Sequence, residues 1–478
     1  MRRSSGELAP AECRRKPTAS HYRWRVRFLP PRRAVALVAL LVNVALLAAA
    51  CSSTGETLDL AEGDSGQSEE TVEANTASEA EPADRSTDED ATDSASLATT
   101  TTSTTTVAPT TTDTTTTTTT TTVAPTTTEA PRTAATCAAA LPLEVRLGQL
   151  MFPVMTQDEL PFAESLAVRG LLGGIVVLGS PNASIGDGLA SLQSSSLLGP
   201  LIIAVDEEGG RVQRVDALVG SQPSAREVAA TEDIAAARQR AADHAIALGE
   251  LGFTMNLAPV VDLDVGTFIG DRSYGADPAV VSDYALGVAE GILDGGLAPV
   301  IKHFPGHGRG IDSHTGLPTI PGVETLRQSD LVPFERAIAH GDLPIMIGHL
   351  VVTGLTDGQP ATLSPAAVNG LLRTELGFDG LVMTDALNMD AIAATTNNAD
   401  AAELALIAGV DLVMLGTLNA VEGTVAQLAD AVATGRISEQ DITESFLRVM
   451  DQRELDVCSL QGDFQPAIGC EADSLNCR

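Results

Sequence analysis

The chain reads as an α/β protein, a (β/α)8 TIM barrel in a single catalytic domain preceded by a disordered stalk. Three observations predict this. From Met151 onward, short continuously apolar runs alternate with helical periodicity, which implies a parallel sheet covered on both faces. There are eight such units, the count that closes a barrel. Polar clusters end at least five of the runs, whereas an open doubly wound sheet gathers its site at one switch point.

Taken from the N-terminus, the chain of 478 residues divides into four stretches. Residues 1–50 have the form of a signal peptide: arginines 25, 27, 32 and 33 precede the apolar run 34–50. At about 17 residues that run is marginal for a spanning helix, so a signal anchor is the alternative to export. Cys51 follows the small residues Leu47-Ala48-Ala49-Ala50, a pattern that resembles a bacterial lipoprotein signal. The expectation is a cell-surface protein held to the membrane by a lipid on Cys51.

Residues 51–136 form an acidic and threonine-rich linker. Acids crowd positions 56–93, with Arg85 the one basic residue, and 99–129 is nearly pure threonine with Val-Ala-Pro units. Such a segment cannot bury a core, and as a random coil it would span roughly 50 Å. The formal net charge is −34, which excludes a nucleic-acid partner because such partners need basic contacts.

Residues 137–455 are expected to be the barrel. Its strands are predicted at 151–155, 174–178, 201–205, 254–262, 299–303, 344–349, 380–384 and 411–415, and helices include 228–251, 283–294 and 365–375. Residues 456–478 form a cysteine-containing tail. Cys137, Cys458, Cys470 and Cys477 predict two disulfides in an oxidising compartment; three pairings are open, each tying Cys137 to the tail.

Candidate chemistry lies at the strand ends. After the third strand comes Asp206-Glu207-Glu208-Gly209-Gly210-Arg211-Val212-Gln213-Arg214. Asp206, nearest the strand, suits a sugar's hydroxyl pair, and an arginine nearby keeps it ionised. Arg211 or Arg214 could instead merely brace the rim. After the fourth strand, Asp262 and Asp264 precede Ile269-Gly270-Asp271-Arg272, where Arg272 is a candidate ligand donor and Asp271 a structural residue.

The densest cluster follows the fifth strand, Lys302-His303-Phe304-Pro305-Gly306-His307-Gly308, then Asp312-Ser313-His314. Lys302 and His303 are placed to hold hydroxyls. Asp312 beside His314 can fix the ring's tautomer and make it an acid/base near neutral pH. No metal is expected, since no H-E-x-x-H pattern occurs and glycines separate His307 from His314. Asp385 ends the apolar seventh strand. Glycoside cleavage with retention needs a carboxylate nucleophile and a second group to protonate the leaving oxygen, and Asp385 is the candidate nucleophile. The plain alternative is an aspartate that caps the next helix.

These motifs, with Thr384-Asp385-Ala386-Leu387-Asn388-Met389 and the run RTELGFDG from Arg373 to Gly380, closely resemble glycoside hydrolase family 3, in particular its single-domain β-N-acetylhexosaminidases of the NagZ type. The resemblance covers 141–450. It implies a covalent glycosyl-enzyme on Asp385, His314 oriented by Asp312 as acid/base, and a terminal sugar held by Asp206, Arg214, Arg272, Lys302 and His303. It implies no cofactor, a monomer, and a terminal β-N-acetylglucosaminide substrate, such as peptidoglycan fragments or chitin oligomers. Phosphorolysis stays open beside hydrolysis.

The Asp-Ser-His loop and the lack of length for a second domain favour N-acetylglucosaminide over glucoside. A β-glucosidase or β-xylosidase of the same family is the nearest alternative, and a non-catalytic wall-binding module the other. The chain's one tryptophan, Trp24, precedes the apolar run, so recognition is expected to be mostly polar. Two departures stand out: Ala386 occupies a position often held by aspartate, and Glu207 replaces the usual glutamine, an extra acid expected to act on rim electrostatics.

Overall fold

The structure of the protein, a computed structural model, describes residues 133–460. The expected signal segment, Cys51, the acidic and threonine-rich stretch, Cys470 and Cys477 lie outside the described residues.

Strands β1 (Val154–Met155), β2 (Gly174–Val177), β3 (Ile202–Val205), β4 (Met255–Asn256), β5 (Ile301–Phe304), β6 (Ile345–Ile347) and β7 (Val382–Thr384) follow one another around a ring. The eighth position, β8, is reduced to Leu412 and Val413, which bridge Met383 on one side and Met151 on the other. β4 reaches β5 through the pairing of Met255–Asn256 with Ala298–Pro299 and a bridge from Val260 to Lys302. Phe152 and Val154 donate their N–H groups to the carbonyls of Val413 and Leu415 at 2.9 Å and complete the circle. Every pairing around the ring is parallel, and every residue of these eight strands is buried. That double coverage is why the runs carry no polar face: one side fills the barrel and the other meets the helices.

The helices depart from their predicted limits for local reasons. The segment read as one helix over 228–251 is two, Ala225–Thr231 and Ile234–Glu250. Glu232 between them is extended, and the Asp233 side chain accepts the N–H of Ala236 at 2.8 Å, an N-cap that restarts the helix. The helix read from 283 begins earlier, as Pro278–Asp294, with Asp277 as cap and proline in its first turn. Ala366–Glu375 is a π-helix, its hydrogen bonds spanning one residue more than those of the expected α-helix.

The N-terminal ends of the strands are tied by a buried knot. Asp411 accepts from Arg373 at 2.6 Å, from Ser445 at 2.9 Å, from Arg448 at 3.1 Å and from the Val382 N–H at 2.9 Å. Arg373, which opens the RTELGFDG motif, is therefore a stability residue on the face opposite the site. The described region is also closed end to end: Arg146 of helix Leu143–Gly148 pairs with Glu439 at 2.6 Å, and Cys137 forms a disulfide with Cys458. One expected tie between Cys137 and the tail is thus present.

Candidate active site

At the mouth of β3 the chain must reverse sharply. Gly209 and Gly210 take φ of 93° and 57°, and a Cβ at Gly209 would lie 2.2 Å from the Pro223 carbonyl oxygen. No side chain fits there, so the two glycines let the strap 206–214 fold back over the barrel. Asp206 and Glu208 then face Lys302 together, each with a carboxylate oxygen 2.6 Å from its Nζ. Glu208 is also bridged by Arg272 with two bonds, at 2.7 and 2.8 Å. Arg214 approaches Asp206 at 3.9 Å.

The result is an alternating row, Arg214, Asp206, Lys302, Glu208 and Arg272, with Asp206 half-buried and the Glu208 and Lys302 side chains almost fully enclosed. Burial alone would push the Glu208 carboxyl up, but Lys302 and Arg272 hold it well below the usual range. Burial would likewise lower Lys302, and Asp206 and Glu208 raise it instead. Glu208, Lys302 and Arg272 are therefore charged at neutral pH.

Lys302 and His303 are neighbours in sequence, yet both serve the mouth. In a regular strand they would point to opposite faces. The register against β6 shifts between Lys302 and Phe304, leaving His303 as a bulge that redirects its side chain. His303 Nδ1 lies 2.6 Å from Asp262 Oδ2, while Asp262 Oδ1 accepts the N–H of His307 at 2.6 Å. Burial favours a neutral Asp262, but His303 and His307 hold its carboxyl below the usual range.

Asp385 follows β7, its N–H donating to the Ile347 carbonyl of β6 at 3.0 Å. Its Oδ1 accepts the N–H of Ala386 at 2.8 Å, and its side chain caps no helix beyond that. Burial would raise its carboxyl, but the fields of His303, His349 and Lys302, with that N–H, keep it below the ordinary value. His349 is held by Thr362 at 2.8 Å and by the Ala386 carbonyl at 3.0 Å, so it sets the turn just after Asp385. An ionised, half-buried carboxylate with one oxygen uncommitted is suited to nucleophilic attack.

The loop after β5 brings the second group. Asp312 Oδ1 accepts the backbone N–H of His314 and lies 2.9 Å from His314 Nδ1. Burial pushes the Asp312 carboxyl up, but the His314 N–H and ring hold it below the usual range. Pinning Nδ1 leaves Nε2 to exchange a proton with a ligand. Ser313 between them is buried: its hydroxyl meets His307 Nε2 at 3.2 Å, and its carbonyl accepts the N–H of Ala391 at 3.1 Å. The Asp-Ser-His turn is thereby moored to the segment that begins at Asp385.

With this geometry in view, the chain matches the Glycosyl hydrolase family 3 N terminal domain over residues 143–452. The chain belongs to glycosyl hydrolase family 3. Its similar relatives include Beta-hexosaminidase LpqI of Mycobacterium tuberculosis, 40% identical over 334 residues, covering 67% of this chain and 85% of that protein. Among solved structures, a family member from Mycobacterium smegmatis aligns with 40% identity and a TM-score of 0.63, over 66% of this chain and 98% of that one. A family 3 beta-N-acetylglucosaminidase from Paenibacillus aligns with 33% identity and the same score, over 70% and 65%.

The family 3 barrel thus gathers Asp206, Arg214, Arg272, Lys302 and His303 at one mouth, with Asp385 beside them and Asp312 and His314 on a loop tied to the same edge. Arg211 is a rim brace, paired with Asp271. Three contributors carried no assigned role in the sequence reading. Glu208 stands inside the strap motif, Asp262 ends the fourth predicted strand and His349 ends the sixth, so position at a strand end was the available signal. Glu207 corrects an expectation: its side chain is fully buried, away from the rim, because Oε1 accepts the N–H groups of Arg214 and, at 2.6 Å, Val215. Among the described residues no group of three His, Cys, Asp or Glu converges on a metal-sized site.

Proposed function

We propose that this glycoside hydrolase removes terminal β-linked N-acetylglucosamine with retention, using Asp385 as nucleophile and His314, oriented by Asp312, as acid/base. A carboxylate oxygen of Asp385 bonds to the anomeric carbon while the bond to the leaving oxygen breaks and His314 Nε2 protonates that oxygen. Water then adds to the anomeric carbon, gives its proton to His314, and the ester to Asp385 breaks. Asp206, Arg214, Arg272, Lys302 and His303 hold the sugar hydroxyls. The observation that carries this reading is the Ala391 N–H to Ser313 carbonyl bond, which ties the acid/base turn to the nucleophile's own loop. The relatives named beta-hexosaminidase and beta-N-acetylglucosaminidase support the choice of sugar.

The substrate class we infer is peptidoglycan-derived or related glycan, met at the cell surface by a monomer anchored through a lipid on Cys51. The basic and apolar run before Cys51 supports export, and replacing Cys51 with alanine should release the protein from membranes. The decisive assay is release of 4-nitrophenol from its β-N-acetylglucosaminide and β-glucoside by the full chain. Turnover of the first, reduced about 10³-fold or more by Asp385→Ala, is the expected result. Preference for the glucoside, or activity indifferent to Asp385, would overturn it.

A further inference from the structure

Glu207 lies behind the strap, and its two oxygens are treated unequally. Oε1 accepts the N–H groups of Arg214 and Val215. Oε2 has no hydrogen-bond partner, and neither ring nitrogen of His244 has one, although Oε2 and His244 Nε2 stand 3.4 Å apart. His244 sits on the inner face of helix Ile234–Glu250, and its side chain is 6% exposed against 0% for Glu207. A histidine and a glutamate have therefore been enclosed together, at a separation that a small side-chain adjustment closes to a hydrogen bond.

Glu207 is also fixed through its backbone. Its N–H donates to Asn256 Oδ1 at 3.1 Å, and its carbonyl accepts from Asn256 Nδ2 at 3.0 Å. With the main chain clamped to β4, the carboxylate is a rigid post from which the Arg214 backbone hangs. Arg214 in turn faces Asp206. Without a donor at Oε2 this buried carboxylate is uncompensated, and the strap would move to let water reach it.

We propose that His244 and Glu207 form a buried positioning pair that holds Arg214 against Asp206, so that a histidine in the outer helical layer sets how tightly the sugar is gripped. The pair touches neither substrate nor reacting atoms. It rests on the reading of Asp206 and Arg214 as sugar-binding residues given above. In this chain the acid at 207 requires a donor opposite it, and His244 Nε2–H is that donor.

The test is steady-state hydrolysis of 4-nitrophenyl β-N-acetylglucosaminide by the full chain. His244→Leu should raise KM about tenfold with kcat within about threefold, since the grip is lost and the chemistry kept. His244→Gln, whose amide can donate to Oε2, should return KM towards the wild-type value. Adding Glu207→Gln to His244→Leu should do the same, because its amide oxygen still accepts both N–H groups and no buried charge remains. An active wild type whose KM is unmoved by His244→Leu overturns the pair. So does a variant whose kcat and melting temperature fall together without rescue by either glutamine. Absence of turnover by the wild type overturns the function itself, and this inference with it.

Discussion

Single side chains at the mouth have separable duties. His314 is needed where the leaving group is a poor one. Asp312→Asn, which cannot stabilise the ring's charge, should slow cleavage of a chitin disaccharide by about 10²-fold or more. Release of 4-nitrophenolate, which leaves without protonation, should slow much less; equal losses on both substrates would show that Asp312 does not act through proton transfer. Glu208 answers two cations at once. Glu208→Gln leaves Lys302 and Arg272 without their shared charge, and should cost about 3–5 kcal/mol in urea unfolding while raising KM. The titrating groups also set a pH profile of stability. Glu208, Asp262 and Asp385 have folded values below their unfolded ones, so their contribution is complete above about pH 4 and lost as pH falls through the folded values. Burial lowers His307 and His349, so their neutral rings stabilise fully above about pH 6.5 and less below it. Urea midpoints should therefore decline gently from pH 6.5 and steeply below 4; a flat profile from 7 to 4.5 would contradict the histidine assignment.

At the level of elements, helix pairing decides how close the outer layer comes to the barrel. Helices Ile234–Glu250 and Pro278–Asp294 meet through small residues. A Cβ at Gly291 would stand 2.2 Å from the Arg238 carbonyl oxygen, and one at Gly295 2.5 Å from the Ala245 Cβ. Gly291→Val should therefore lower stability by about 1–3 kcal/mol, measured as a fall in melting temperature. If His244 positions the strap from this same helix, the variant should also raise KM. The sequence showed both helices but not their closeness, because periodicity identifies an apolar face and not the partner it meets. It also ran two helices together at Glu232, where Asp233 reads equally well as a polar surface residue or as a cap.

For the whole domain, closure joins residues far apart in the chain. Cys137 and Cys458 are separated by 321 positions, and the bond between them restrains the unfolded chain over nearly the full barrel. Replacing both with serine should cost about 2–4 kcal/mol and leave kcat unchanged, since the bond lies at the ends of the domain rather than at its mouth. Arg453 works in the same region: buried, it donates to the carbonyls of Leu198, Gly199 and Pro200, linking the last long helix to the approach to β3.

The sequence by itself determined the barrel and the order of its strands, and it marked Asp206, Lys302, His303 and Asp385 where apolar runs end in polar residues, with Arg272, Asp312 and His314 in the loops that follow. It could not determine which of those residues pair. That the row alternates in sign from Asp206 through Lys302 and Glu208 to Arg272 follows from contacts between positions 64 to 96 residues apart. That Lys302 and His303 both face the mouth follows from a bulge that exists in the register with β6. Glu207 shows the same limit most sharply. Between two residues at the mouth it reads as another rim acid, and the fold turns it inward, where Oε1 accepts the N–H groups of Arg214 and Val215 and Oε2 lies 3.4 Å from His244 Nε2.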